Sequence, residues 1–361
     1  MRMTKLQLTN FRSYADVTLS PADGVTVLVG RNGVGKTNLL EAVHLCCLGR
    51  SHRTSQDKDL IANGQTSARI QLTVEKNDGT HDVRILLDET ARKKKSIVLN
   101  DKPAARMGEM MGHATCVIFS PEDLSLIKDG PLVRRHFLDM LLSQLQQSYF
   151  YALQKYQLTL KQRNSALKTG DNTTLPAWDE QLALAAVPIV RKRREICDIL
   201  LTKGAVHYQY IGGQSDERFS LRYRSALSES ENIAEDMING LNRTKDEDFR
   251  RQTTSFGPHR DEVDLLLNDQ LLKSFGSQGQ MRTACLSLKL ASFDILEENQ
   301  GEPPLLLLDD VLSELDPERR KRLISRIGRV QALLTCTDET DFQLAHPASV
   351  LHIVPGGIQQ T

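Results

Sequence analysis

Eight residues near the N-terminus, Gly30-Arg31-Asn32-Gly33-Val34-Gly35-Lys36-Thr37, fill the pattern G-x-x-x-x-G-K-[ST]. The residue types suit one task. Glycines at 30, 33 and 35 let the backbone curl so that its N–H groups point inward at phosphate oxygens. Lys36 adds a full positive charge toward the β- and γ-phosphates, and the Thr37 hydroxyl is a ligand for Mg²⁺. A helix that starts near Lys36 aims the positive end of its dipole at the same anion. All eight residues are therefore candidate nucleotide contacts, with Lys36 a catalytic candidate as well. Far along the chain, the run Leu305–Asp310 reads LLLLDD, an apolar strand that ends in two carboxylates. A buried parallel strand delivers its last residues to the carboxyl edge of its sheet, where phosphate loops also lie. Asp309 is the candidate Mg²⁺ partner, and Asp310 is placed to orient or deprotonate an attacking water. Turn chemistry alone would also favour Asp after a strand; the intact phosphate loop favours the chemical reading.

These residues need elements to hold them. Val25–Val29 is apolar and strand-like, and Lys36–Leu48 carries a helical pattern, so the loop has its strand–loop–helix context. Further strands are expected at Met3–Thr9, Val17–Leu19, Arg69–Glu75, Val83–Asp88, Ser96–Leu99 (turning at Asn100-Asp101) and Thr115–Phe119. From Pro131 to about Lys168 one long helix is predicted. Its seam of Leu138, Leu142, Leu145, Tyr149, Ala152 and Tyr156 steps alternately by four and three residues. GDNTTLP, Gly170–Pro176, breaks it, and a second helix runs to about Tyr208, so the two should pack antiparallel. A strand at Arg218–Arg224 and a helix at Ser230–Arg243 follow. Then come strand Val263–Leu267, helix Gln280–Leu296, strand Leu305–Leu308, helix Pro317–Ile327 and strands Gln331–Thr335 and Val350–Val354, with a PGG turn and a short polar tail. In SELD, Ser313–Asp316, Asp316 is a helix N-cap and Pro317 the first helical residue. The expected order is a nucleotide-binding segment at 1–130, a helical arm at 131–250, and the rest of the α/β domain at 251–361.

The 361 residues carry 46 bases and 46 acids. That balance excludes a uniformly basic nucleic-acid binder and leaves room for local patches. Three clusters qualify: Arg92–Lys95, Arg134-Arg135 and Arg191–Arg194. Six scattered cysteines lack C-x-x-C spacing, which argues against a zinc site or disulfide framework and suggests a reducing cytosol. The first residues alternate like a strand rather than forming a signal peptide, and no apolar run reaches the ~18 residues of a membrane span. The chain is expected to be cytoplasmic with no membrane partner. No N-K-x-D motif for guanine reading is present. A small-molecule phosphotransferase with the arm as its lid remains open on the phosphate loop alone.

A second glycine loop lies between those two motifs. Gly276-Ser277-Gln278-Gly279-Gln280 opens the predicted helix Gln280–Leu296 just upstream of LLLLDD and SELD. This order of phosphate loop, signature-like loop, acidic strand and SELD resembles an ABC-type ATPase. The segments KLQLTNFRSY, GKTNLLEAV, GRSHR (Gly49–Arg53), VIFSPEDL (Val117–Leu124), GPHRDE (Gly257–Glu262), GSQGQ and LLLDDVLSELD narrow the likeness. The chain resembles the RecF family, of the SMC-like branch, from about Met1 to Asp338.

The resemblance implies an α/β, ABC-type P-loop ATPase head with an inserted helical arm. It implies ATP and Mg²⁺ as cofactors, and an ATP-dependent homodimer with nucleotide sandwiched between protomers. Ser277, Gly279 and Gln280 would complete the neighbour's site, and Arg12 in NFRS would reach the nucleotide. The implied partners are single-stranded and double-stranded DNA at gaps and junctions, with recombination mediator proteins that help load recombinase. The implied setting is DNA replication, recombinational repair and the SOS response. His259 in GPHRDE is read as structural. Three departures from the wider ABC pattern stand out: Asp310 occupies a position usually held by Glu, Thr337 or Asp338 replaces a switch His, and SPED contains no Gln. Each removes or displaces a group that acts on water or metal. Slow hydrolysis is therefore expected, with ATP acting as a clamp-closing switch; a non-hydrolysing ATP-bound repair scaffold is the limiting case.

Overall fold

The computed structural model describes residues 1–212, 216–328, 330–337 and 346–360. Asp338, one of the two residues offered above in place of a switch His, lies outside the described residues. The chain divides into two compact units. One comprises Met1–Asp123, Tyr210–Gly212 and Lys289–Thr361, and the other Leu124–Gln209 and Gly213–Leu288.

Among the described residues, the first unit holds two six-stranded sheets. In one, the strand order is Gly357–Gln360, Ser349–Val354, Val25–Val29, Ala332–Cys336, Leu305–Asp309, Cys116–Phe119. All neighbours are parallel except the first pair. The four strands from Val25–Val29 to Cys116–Phe119 are buried at every position. A strand covered on both faces has no polar side, which is why VTVLV, LLLLD, ALLTC and CVIF read as unbroken apolar runs. The second sheet is antiparallel and carries Arg2–Phe11, Tyr14–Leu19, Ser67–Lys76, Gly79–Asp88, Lys95–Leu99 and Lys102–Pro103. Along Ser67–Lys76, Ala68, Ile70, Leu72 and Val74 alternate inward. Its last hairpin turns at Asn100-Asp101, as expected, with φ of 48° and 64°. Helix Lys36–Leu48 contacts strands of both sheets and is buried without interruption from Leu39 to Leu48.

The expected polar tail is instead an edge strand. Gly357–Gln360 pairs antiparallel with Ser349–Val354 across Pro355-Gly356. Proline fixes φ at the first turn position, and Gly356 takes φ 75° at the second. An edge strand has one solvated side, so its sequence looks like a tail.

In the second unit, the single helix expected from Pro131 to about Lys168 is two, Pro131–Leu145 and Gln147–Thr169. Gln146 between them is extended, with φ −144° and ψ 111°. The Tyr149 hydroxyl donates to Asp139 Oδ1 at 2.5 Å. On a straight helix those residues would be about 15 Å apart along the axis, so the bond requires the break. The seam spacing survives it because Leu142 and Tyr149 stay buried on either side. The next helix, Leu175–Ile211, runs antiparallel as expected: Arg163 Nε donates to Asp179, while Arg193 pairs with the earlier Asp139.

Those two arginines also tie the chain between Asp248 and Asp261 to the helical arm. Arg163, fully buried, reaches Asp248 at 2.7 Å and Thr254 at 2.8 Å. Arg193 reaches Pro258 O at 2.7 Å and Asp261 at 3.2 Å. Strand Glu262–Leu267 pairs antiparallel with Phe219–Arg224. Residues 251–288 are thus bonded to the helical arm, and the signature-like loop goes with them. Among the described residues, no helix is long and apolar enough to cross a membrane.

Candidate nucleotide site

The phosphate loop leaves strand Val25–Val29 and enters helix Lys36–Leu48 as expected. Two of its glycines have steric reasons. A Cβ on Gly30 would lie 2.6 Å from the Ile353 carbonyl oxygen. Gly35 has φ 115°, and a Cβ there would meet Ser13 Oγ at 2.7 Å and Tyr14 Oη at 2.8 Å. Arg31, Asn32 and Gly33 are exposed and Val34 half-buried. Lys36 folds back over the loop, its Nζ donating to Gly30 O at 2.5 Å and Arg31 O at 3.2 Å. Burial lowers its pKa, and the nearby charges of Asp310, Cys336 and Asp309 partly oppose that.

Sheet register brings the acids to this loop. Strand Leu305–Asp309 lies beside Ala332–Cys336, which lies beside Val25–Val29, so Asp309 pairs with Thr335 and Thr335 with Leu28. Thr37 Oγ1 donates to Asp309 Oδ1 at 3.0 Å, although 272 residues separate them. Burial raises the Asp309 pKa, and hydrogen bonds from Thr335 and Thr37 offset part of the rise. Asp310 adopts φ 52° and gives its N–H to Thr335 Oγ1 at 2.9 Å. The residues fit Mg²⁺. Adjacent ligands of an octahedral ion at about 2.1 Å stand about 3.0 Å apart, close to the Thr37–Asp309 oxygen separation of 3.0 Å.

Thr335 was missed in the sequence. Its only signal there is a hydroxyl near the end of an otherwise apolar strand, ALLTC. Arg12, expected to reach the nucleotide, is bonded to the phosphate-loop helix. Its Nε and Nη2 grip Glu41 at 2.9 and 2.7 Å, and its Nη1 donates to Asp59 O at 2.7 Å. Glu41 projects from the phosphate-loop helix, is fully buried, and also accepts from Ser51 Oγ at 2.5 Å. GRSHR thus contributes Ser51, and Arg53 at 3.6 Å, to holding that helix. In SPED, Asp123 accepts from Ser120 N–H at 2.9 Å and pairs with Lys289 at 2.8 Å.

In the other unit, the helix predicted from Gln280 starts at Gln278. Ser277 is its cap: Ser277 Oγ accepts from Gln280 N at 3.2 Å, while Gln280 Oε1 accepts from Ser277 N at 2.7 Å. This reciprocal pair is a capping box. Gln280 Nε2 is held by Glu217 Oε1 at 2.7 Å, so Gln280 is tied up within its own unit. The capping role uses a lone pair of Ser277 and leaves its O–H to donate. The N–H groups of Gln278 and Gly279 fall in the first turn, where no intrahelical carbonyl serves them. Ser277 and Gln278 are exposed. Asp316 caps helix Pro317–Ile327 as expected, accepting from Arg319 N at 3.0 Å.

The basic clusters divide. Arg134 is buried against Glu262 at 2.8 Å, Arg135 Nη1 bonds Asp261 O, and Arg193 lies within the arm's ion pairs. Lys95 is tied to Asp57 and to Gly49 O. Arg92, Lys93, Lys94 and Arg191 are exposed. His259 is structural in its contacts. Its Nε2 faces the Thr254 carbonyl at 3.0 Å and so carries the proton, and Nδ1 accepts from Tyr156 Oη at 2.7 Å. Burial pushes its pKa down to about 4.

The parallel sheet, the phosphate loop with Lys36 folded over it, the Thr37–Asp309 contact and the capped glycine loop define a P-loop nucleotide-binding head of the ABC type. The chain belongs to the RecF/RecN/SMC N-terminal domain family, whose model matches residues 2–358. It is 40% identical over 357 residues to the DNA replication and repair protein RecF of Acetivibrio thermocellus, covering 95% of each chain. It is 39% identical over 370 residues to that of Ruminiclostridium cellulolyticum, covering 99% of each. A solved structure of the recombination mediator protein RecF with ATP, described as part of the RecFOR pathway, matches with TM-score 0.92 and 32% identity, over 100% of this chain and 97% of that one. The Smc head domain of Pyrococcus furiosus shares the fold at TM-score 0.58 and 15% identity, over 100% and 96% of the two chains.

Proposed function

We propose that this chain is an ATP-dependent DNA-binding protein of replication and recombinational repair, whose nucleotide closes a homodimer on DNA. The observation that carries the nucleotide site is the Thr37–Asp309 hydrogen bond, which joins phosphate loop and acid strand across the sheet. The RecF relative solved with ATP supports the same ligand.

In this reading Gly30–Thr37 wrap the phosphates, and Lys36 leaves its loop carbonyls for the β- and γ-oxygens. Thr37 and Asp309 would hold Mg²⁺, which would supply positive charge against the phosphates. Asp310 positions the attacking water and accepts its proton. Its side chain is one methylene shorter than Glu, so turnover is slow and ATP acts as a switch. Ser277 O–H and the N–H groups of Gln278 and Gly279 donate to the γ-phosphate held by a second copy of the chain. That γ-phosphate joins the protomers, and its loss releases them. Gln280 supports the loop from behind. Arg92–Lys94 and Arg191 are the exposed bases available to DNA phosphates, so affinity falls steeply with salt. Recombination mediator proteins are the expected protein partners.

A mixing experiment tests this. Lys36→Ala removes nucleotide binding from its own subunit, and Ser277→Arg spoils the neighbour's site. Each variant alone stays monomeric with ATP by light scattering, while an equal mixture regains dimer through one intact composite site. Normal ATP-dependent dimerisation of Ser277→Arg alone would refute completion in trans. DNA-stimulated phosphate release by the parent separates a switch from a non-hydrolysing scaffold.

A further inference from the structure

We propose that Thr335 is a positioning residue for ATP hydrolysis, whose single hydroxyl sets both the Asp309 carboxylate and the backbone of Asp310. The inference rests on the roles given above to that acid pair. Thr335 lies in strand Ala332–Cys336, between the phosphate-loop strand and the acid strand, and is 1% exposed. A buried hydroxyl without partners costs about 1–3 kcal/mol; this one is bonded twice. It donates to Asp309 Oδ1 at 2.8 Å and accepts from Asp310 N at 2.9 Å. The directions are fixed by chemistry, since a carboxylate only accepts and a backbone N–H only donates.

Two consequences follow. Asp309 Oδ1 accepts from Thr335 and from Thr37 together, so the carboxylate is held between the two threonines. Thr37 can then turn a lone pair to Mg²⁺ while its proton stays on Asp309. Asp310 has φ 52°, a left-handed backbone that few residues adopt besides glycine, Asn and Asp, the last two by local hydrogen bonding. Two local bonds hold that conformation: its N–H on Thr335, and its carbonyl, which accepts from Ser313 Oγ at 2.7 Å. The handedness at this residue decides where its short side chain leaves the strand end. A carboxylate with less reach than Glu depends more on that direction. An ordinary buried strand residue would need no such pair of bonds, and valine would fill the same space.

The test uses the full chain with Thr335→Val, which keeps shape and removes the hydroxyl, and Thr335→Ser, which keeps the hydroxyl. Steady-state ATP hydrolysis is measured with Mg²⁺ and duplex DNA, and Mg²⁺ is titrated against binding of a fluorescent ATP analogue. Val should lower kcat about 10–100-fold with KM for ATP within about twofold, as when groups behind a metal site are removed. It should also raise the half-saturating Mg²⁺ concentration severalfold. Ser should restore both. Unchanged kcat and Mg²⁺ dependence in Val, or a Ser variant as impaired as Val, overturns the proposal. Thr335→Cys, close in size with a weak donor, keeps the question answerable if Val does not fold: parental kcat and Mg²⁺ dependence in Cys would also overturn it. Asp310→Asn separates the two layers. Parental hydrolysis in that variant sinks the role given to Asp310, while the Mg²⁺ shift in Thr335→Val still reads Thr335 through Asp309.

Discussion

Replacing Arg12 by methionine separates two roles for one residue. The fork Nε–Oε2 and Nη2–Oε1 binds a Glu41 that is 0% exposed, with Arg12 itself 20% exposed. Burial pushes the Glu41 carboxyl up, but the Arg12 and Ser51 hydrogen bonds outweigh it and hold the pKa below its usual value. Breaking a buried ion pair by removing one partner costs about 3–5 kcal/mol. Ser51 and Arg53 still face the carboxylate, so the low end applies, about 3 kcal/mol. For a unit of this size that lowers the melting midpoint by about 6–12 °C, read by calorimetry at pH 7.5. The sign with pH follows from the lowered pKa. The clamp's stability is fully present above the unfolded value near 4.5 and is lost as pH falls through the lower folded value. The gap between parent and variant therefore narrows below about pH 4.5. With all of its printed bonds on Glu41 and the Asp59 carbonyl, Arg12 acts through the helix, so ATP affinity of the folded variant should change less than threefold. A midpoint within about 1 °C of the parent, together with a tenfold loss of ATP affinity, would refute this reasoning.

Arg163→Met leaves Asp179 and Asp248 without their buried cation and should cost the helical unit about 3–5 kcal/mol, measured by urea denaturation. His259 is buried neutral, so its contribution is present above the unfolded value near 6.5 and is lost as pH falls toward about 4. His259→Gln, which can keep one donor and one acceptor, should flatten the stability profile across that window. Gln280→Ala opens the capping box and should cost about 1 kcal/mol, with faster amide exchange confined to the start of helix Gln278–Gln300.

Most elements were legible because their signals are local. Lys36–Leu48 and Pro317–Ile327 match expectation at both ends, since a phosphate loop starts one and an Asp-Pro cap starts the other. The helix break at Gln146 was not legible, because the reason for it is a bond from Tyr149 back to Asp139 that spacing cannot reveal. The basic clusters misled for a related cause. Arg134 and Arg193 look like surface charge in sequence, but the acids that neutralise them, Glu262 and Asp261, lie about 130 and 70 residues away along the chain. Burying those charges is tolerable only because these partners meet them.

By itself the sequence determined the phosphate loop, the acid strand, the signature-like glycine loop and their order. Each is a contiguous pattern whose backbone geometry depends on near neighbours. Only the tertiary structure decided which hydroxyls hold Asp309, that Arg12 grips Glu41, and that residues 251–288 join the helical unit. Those outcomes depend on strand register and on buried polar groups finding partners far along the chain, and a buried hydroxyl or charge takes its role from whatever the fold sets beside it.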